Sequence, residues 1–134
     1  MQFTLDSDGK ISRITGSPED GVLIIPATVN GIKVKGIAAY AFRGNTDITE
    51  VRAAEEITNF GAGCFWNCKN LASVTISDSV TNIPSDMFNG CSSLNRMNFP
   101  SALKTIEYDA FWGTAFTEIV LPDTVTEVWD YAFA

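Results

Sequence analysis

The side chains that could do chemistry here are three cysteines, Cys64, Cys68 and Cys91, and sixteen carboxylates; there is no histidine. Without histidine, the Ser-His and Cys-His pairs that activate nucleophiles are unavailable, and so are the commonest zinc ligand sets. An odd cysteine count with no CxxC spacing is not a disulfide framework. Cys68 and Cys91 lie 23 residues apart in matching surroundings. That leaves two readings: free buried thiols, or a bond that needs Cα atoms within about 7 Å. Cys64 falls in a column with Ala41, Met87 and Ala110 and reads as core. Among the carboxylates, Glu19-Asp20 and Glu55-Glu56 sit in polar stretches. Hydrolysis would need two of them facing each other across a cleft, and no motif arranges that. Asp6-Ser7-Asp8-Gly9 offers oxygen ligands but lacks the rest of a calcium loop, and a hairpin turn accounts for it. The glycines are scattered rather than gathered in a phosphate-binding loop. These residues point to no catalytic group, no cofactor and no metal, and a hydrolase stays as a remote alternative.

A net charge of −7 argues against nucleic acid or an anionic membrane as partner, because both need clustered Lys or Arg. No run approaches the roughly 20 apolar residues of a membrane-spanning helix, so direct membrane insertion is not expected. Met1 to Asp6 has neither the basic segment nor the apolar run of an export signal. The chain is then either cytoplasmic or one from which an export signal has been removed.

The elements that position these residues come from a repeat. An aromatic closes each unit at Phe42, Phe65, Phe88, Phe111 and Phe133, at spacings of 23, 23, 23 and 22. Five residues before it stand Ile37, Phe60, Ile83, Ile106 and Val128, and eight before it Val34, Ile57, Val80, Leu103 and Val125. Each unit opens on alternating apolar positions: Val51 and Ala53, Val74 and Ile76, Met97 and Phe99, Ile119 and Leu121. Self-similarity at this period means a solenoid, in which stacked coils bury what one coil cannot. The expected fold is a solenoid of about five coils, 21–47, 48–70, 71–93, 94–115 and 116–134, in one structural domain. Parallel strands stack on one side, short helical turns lie on the other, and the phenylalanines stack into a ladder. Residues 1–20 do not fit the repeat; two alternating runs around Asp8-Gly9 predict a β-hairpin that caps the first coil. Asn30-Gly31 predicts a second, smaller hairpin inserted in the first coil.

The stretches LASVTISDSVTNIPSDMFNGCSS, LNRMNFPSALKTIEYDAFWGTA and FTEIVLPDTVTEVWDYAF resemble the leucine-rich repeats of BspA-like bacterial surface proteins. The shared features are the L-x-x-V-x-I-P opening, the S-V-T-x-I middle and the A-F-x-G-C close. The resemblance covers about residues 21–134. It implies the α/β leucine-rich repeat fold, a cell-surface or secreted location, and a non-catalytic role in adhesion or protein recognition. An intracellular protein-interaction scaffold is the alternative.

A solenoid recognises partners with residues that point outward from its strands. Here these are Glu50, Ser73, Arg96 and Glu118 and, two residues on, Arg52, Thr75 and Asn98. Trp66 and Trp112 share the column after the closing phenylalanine, two coils and about 10 Å apart. They read either as an interface pair or as peripheral core over the returning loop. The expected partner is a protein. No polar cap follows Phe133, which leaves two expectations: the natural protein continues past Ala134, or the last coil associates with another chain.

Overall fold

The computed structural model describes residues 1–134, which form a β-solenoid of stacked parallel strands. One sheet comprises β3 (Val22–Ile25), β7 (Glu50–Ala53), β8 (Ser73–Thr75) and β10 (Arg96–Met97), all parallel. The register follows the repeat: Glu50 pairs with Ser73, and Ser73 with Arg96. Inward residues Val51 and Val74 are buried, while Arg52 and Thr75 between and beyond them are exposed. Period-two alternation is therefore realised as expected.

A second, narrower sheet runs along the next side of the coil. β9 (Asn82–Ile83), β11 (Thr105–Ile106) and β12 (Glu127–Val128) pair in parallel. Before them, β6 (Gly36–Ile37) bridges to Phe60. The ladder breaks between Phe60 and Ile83 for a simple reason. The amides of Gly61, Glu107 and Trp129 each donate to the preceding coil at this position. The equivalent residue in the third coil is Pro84, which has no N–H to give.

At the N-terminal end, β1 (Gln2–Leu5) and β2 (Lys10–Thr15) pair antiparallel, and β2 pairs in parallel with β6. Asp6 Oδ1 accepts the amides of Asp8 and Lys10 at 2.9 and 3.0 Å, so this carboxylate is spent on closing the turn. The inserted hairpin pairs β4 (Thr28–Val29) with β5 (Ile32–Lys33). Asn30 and Gly31 have φ of 50 and 79°, the two positive values a type I′ turn requires. No helix of the protein is long and apolar enough to cross a membrane.

The third side departs from expectation. The short helical turns foreseen there are absent, and only a single-turn 3₁₀ segment, Glu19–Gly21, occurs in the chain. Each of the first four coils instead places two residues of positive φ four apart: Tyr40 and Gly44, Gly63 and Asn67, Asp86 and Gly90, Asp109 and Gly113. A left-handed residue every fourth position prevents any right-handed helix from propagating. The amides settle into an alternating arrangement. Asp86, Phe88 and Gly90 donate to Tyr108, Ala110 and Trp112 of the next coil at 2.8–3.0 Å. Between them, Met87 and Asn89 donate within their own coil, to Pro84 and Asp86. The same alternation holds for residues 40–44, 63–67 and 109–113. A third set of inter-coil bonds thus occupies the side where a helix would have kept its bonds to itself.

The core runs the length of the stack. Phe42, Phe65, Phe88, Phe111 and Phe133 stack at centroid separations of 5.3, 5.8, 5.3 and 5.1 Å, with rings 4–28° from parallel. Ile48, Leu71 and Leu94 are fully buried, as are Val80, Leu103, Ile83 and Ile106. Ser77, a polar residue, is also buried, with its Oγ accepting the Ser79 amide. Order fades in the last coil. The opening-strand lengths fall from four residues in β3 and β7 to three in β8 and two in β10. Glu118–Leu121, which carry the same alternation, form no strand. Val128 is 48% exposed and Phe133 36%.

This gradient sets an expectation for stability. Phe88→Ala removes a fully buried ring with stacked neighbours on both sides and should cost about 3–5 kcal/mol. Phe133→Ala, with a neighbour on one side, should cost clearly less. Urea denaturation of both variants measures the difference.

Candidate partner-binding surfaces

The outward face of the main sheet carries Glu50, Arg52, Ser73, Thr75 and Arg96 on β7, β8 and β10. These residues are brought together by the parallel register, Glu50 beside Ser73 beside Arg96, and Arg52 beside Thr75. Two features reduce what they offer. Arg52 Nε donates to Glu50 Oε2 at 2.6 Å, so two opposite charges at one end of the row are joined. Asn98 has a structural duty. Its Oδ1 accepts the Ile76 amide at 3.0 Å and its Nδ2 donates to the Ile76 carbonyl at 2.8 Å. The side-chain amide thereby mimics the backbone of a strand where β10 has already ended. Glu118 is exposed but lies off the sheet, because the fifth coil supplies no strand to carry it. Sequence periodicity placed Asn98 on the face; only the coordinates show what its amide holds.

The two tryptophans are not equivalent. Trp112 is 48% exposed. Trp66 is half-buried and lies against Tyr40, with ring centroids 6.0 Å apart and planes tilted by 34°. The Arg43 guanidinium covers the Trp66 ring at 5.0 Å from its centroid. Trp66 thus finds its partners in the preceding coil, and no ring contact joins it to Trp112. Tyr40 and Arg43 were missed by the sequence reading; their signal is the exposed aromatic Tyr40 in a column otherwise held by Gly63, Asp86, Asp109 and Tyr131. Trp129 packs against Tyr108 at 4.9 Å and donates from Nε1 to Glu127.

Two clefts are open to solvent. One, of about 320 Å³, lies between the N-terminal hairpin and the inserted hairpin, lined by Met1, Gln2, Phe3, Pro26, Thr28, Val29 and Asn30. The other, of about 330 Å³, lies at the last coil among Phe116, Ile119, Leu121 and Phe133, with Glu118 its one carboxylate. Neither cleft holds the facing pair of carboxylates that a hydrolase would use.

All three cysteines are buried free thiols. Cys68 Sγ donates to the Phe42 carbonyl at 3.1 Å, and Cys91 Sγ to the Phe65 carbonyl at 3.0 Å. Each thiol therefore ties its coil to the closing phenylalanine of the coil before, which a disulfide between them would prevent. Burial pushes the Cys68 thiol up to about 12 from the ordinary 9.0. Burial also raises Cys91, and raises Cys64 well above its ordinary value, with the neighbouring thiols adding to the Cys64 shift. These are unreactive packing groups rather than nucleophiles.

Three outcomes follow from this geometry. Asn98→Ala should cost about 1 kcal/mol by stripping the Ile76 backbone of its partners, while Thr75→Ala at the exposed neighbouring column stays within about 0.5 kcal/mol; urea denaturation compares them. The cysteines give a pH dependence. Their folded pKa lies above the unfolded value, so the stabilisation from neutral buried thiol is complete below pH 9.0 and is lost as pH rises through about 12. Unfolding midpoints should fall over that range, and fall less in Cys68→Ser, which keeps a donor but no longer titrates. At neutral pH a thiol reagent should modify all three cysteines only after unfolding.

Comparison with known proteins agrees with this architecture. A family model described as the BspA-type leucine-rich repeat region matches residues 24–134 in six copies. A leucine-rich repeat protein from Bacteroides ovatus is 31% identical over 99% of this chain, with a TM-score of 0.87. The Treponema pallidum leucine-rich repeat protein is 28% identical over 98%, with a TM-score of 0.84. The present chain spans 37% and 63% of those two chains. A leucine-rich repeat protein from Eubacterium ventriosum, 22% identical over 89% of this chain and 42% of its own, shares the fold at a TM-score of 0.63. None of the curated proteins compared with the chain matches it. The stacked parallel strands, the recurring closing phenylalanine and a family match over most of the sequence lead to one conclusion: this chain belongs to the BspA-type leucine-rich repeat family.

Proposed function

We propose that the chain is a non-catalytic protein-recognition or adhesion module of a bacterial cell-surface or secreted leucine-rich repeat protein. Membership of a repeat family that generally mediates protein–protein contacts supports the recognition part of this reading. The observation that carries it is the outward row on β7, β8 and β10. The inward residues there are apolar, while the outward ones change type from coil to coil: Glu50, Ser73, Arg96 and Arg52, Thr75. A face whose chemistry varies over a fixed backbone lattice is what selective recognition requires. Residues 1–20 act in this reading as the N-terminal cap, and residues 21–134 as the recognition solenoid. The surface or secreted location is part of the proposal and rests on the family resemblance. The last coil, with Val120 80% exposed and an apolar cleft beside it, is a second place for association.

The reading is tested by capturing partners from a host or bacterial extract with the wild-type chain and with Arg52, Arg96 and Glu118 replaced by Ala. Loss of the captured protein on substitution is the expected result. Unchanged capture would move the binding surface to Trp66 and Trp112 on the opposite side. Detecting the native protein only in the cytoplasm would favour the intracellular scaffold.

A further inference from the structure

Arg52 is joined to Glu50, the single ion pair in the molecule. Arg43 is placed quite differently. Its guanidinium lies 5.0 Å from the Trp66 ring centroid and 5.8 Å from that of Tyr40, and it pairs with no carboxylate. Three features make this more than a side chain resting on the surface. Tyr40 holds φ at 59°, the left-handed conformation that every coil adopts at this position, so its ring leaves the backbone in a direction the repeat has fixed. Gly63 makes the room: a Cβ there would come 2.6 Å from the Tyr40 ring and 3.2 Å from Trp66. The amide of Tyr40 is fixed to the Ala62 carbonyl and that of Gly44 to the Trp66 carbonyl, so both sides of the cluster are tied to the backbone ladder.

The Arg43 guanidinium lies near two rings and donates to no group of the protein, and a carboxylate fits such a fork through two parallel hydrogen bonds. The rest of the protein does not supply that carboxylate, although its net charge is −7. We propose that Tyr40, Arg43 and Trp66 form a recognition point for an acidic peptide segment of a protein partner, with Arg43 donating to a Glu or Asp side chain of that segment. This rests on the recognition reading above and names the chemistry of its partner. A sugar ring is a poorer occupant, because it would need a bare aromatic face and the Trp66 face is taken up by Arg43 and Tyr40. Nucleic acid would need several clustered cations.

The test titrates a glutamate-rich peptide, and the same peptide with glutamine in place of glutamate, into the full chain. Trp112→Phe and Trp129→Phe make the emission report on Trp66 alone, and calorimetry on the unsubstituted chain repeats the comparison. The glutamate peptide should bind saturably and the glutamine peptide should not. Arg43→Gln should weaken binding on the order of tenfold or more, with an unchanged far-ultraviolet circular dichroism spectrum. Arg43→Lys should fall between, since lysine keeps the charge but lacks the fork. Equal binding of the two peptides, or wild-type affinity in Arg43→Gln, overturns the proposal. A captured partner that depends on Arg52 and Arg96 but not on Arg43 would overturn this site while leaving the recognition reading in place.

Discussion

The structure depends on hydrogen bonds between coils. Along each side of the stack, backbone groups of one coil meet those of the next: the main sheet through β3 to β10, the narrow sheet through β9 to β12, and the turn side through the alternate amides. A buried backbone amide without a partner is costly, so the chain must offer a bond at every step or bend where it cannot. This requirement explains the positive φ values. By setting one residue in four left-handed, the turn side directs alternate N–H groups along the stack instead of back into a helix. It also explains the defects. Pro84 lacks a proton and the narrow sheet divides there; β10 ends early and the Asn98 side chain takes its place.

Packing follows from the same spacing. Coils held at the parallel-strand separation bring equivalent phenylalanines to within stacking distance, and the observed centroid separations are 5.1–5.8 Å. The thiols of Cys68 and Cys91 fit this pattern. Each sits close enough to the carbonyl of the preceding phenylalanine to donate to it, and burial keeps the proton in place. What would be a reactive group on a surface is here a small apolar filler with one useful donor.

The consequence for function is a division of labour. Inward columns are fixed by packing, and outward columns are free to vary, so recognition can be rewritten without disturbing the fold. The outward residues are not all equally free, however. Glu50 and Arg52 satisfy each other, Asn98 completes the sheet, and Arg43 lies beside two rings with its donors unclaimed. Solvent exposure alone would rank these residues together; their hydrogen bonds separate them.

The repeat period, the inward apolar columns, the phenylalanine ladder and the inserted Asn30-Gly31 hairpin were legible in the sequence because each depends on residue type at fixed spacing. A stacked solenoid turns that spacing directly into contact. The helical turns were misjudged because segments of about five residues carry little periodicity, and the left-handed residues that exclude helix include Tyr40 and Tyr131, types that give no such signal. The missing fifth strand was equally hidden, since Ile119 and Leu121 keep the alternation of their counterparts and nothing local marks them as unpaired. The free state of the thiols, the closure of Arg52 on Glu50, the duty of Asn98 and the meeting of Tyr40, Arg43 and Trp66 were decided by tertiary structure alone. Each depends on where a side chain finds its partner across coils, and a linear pattern fixes which residues are neighbours without fixing which atoms bond.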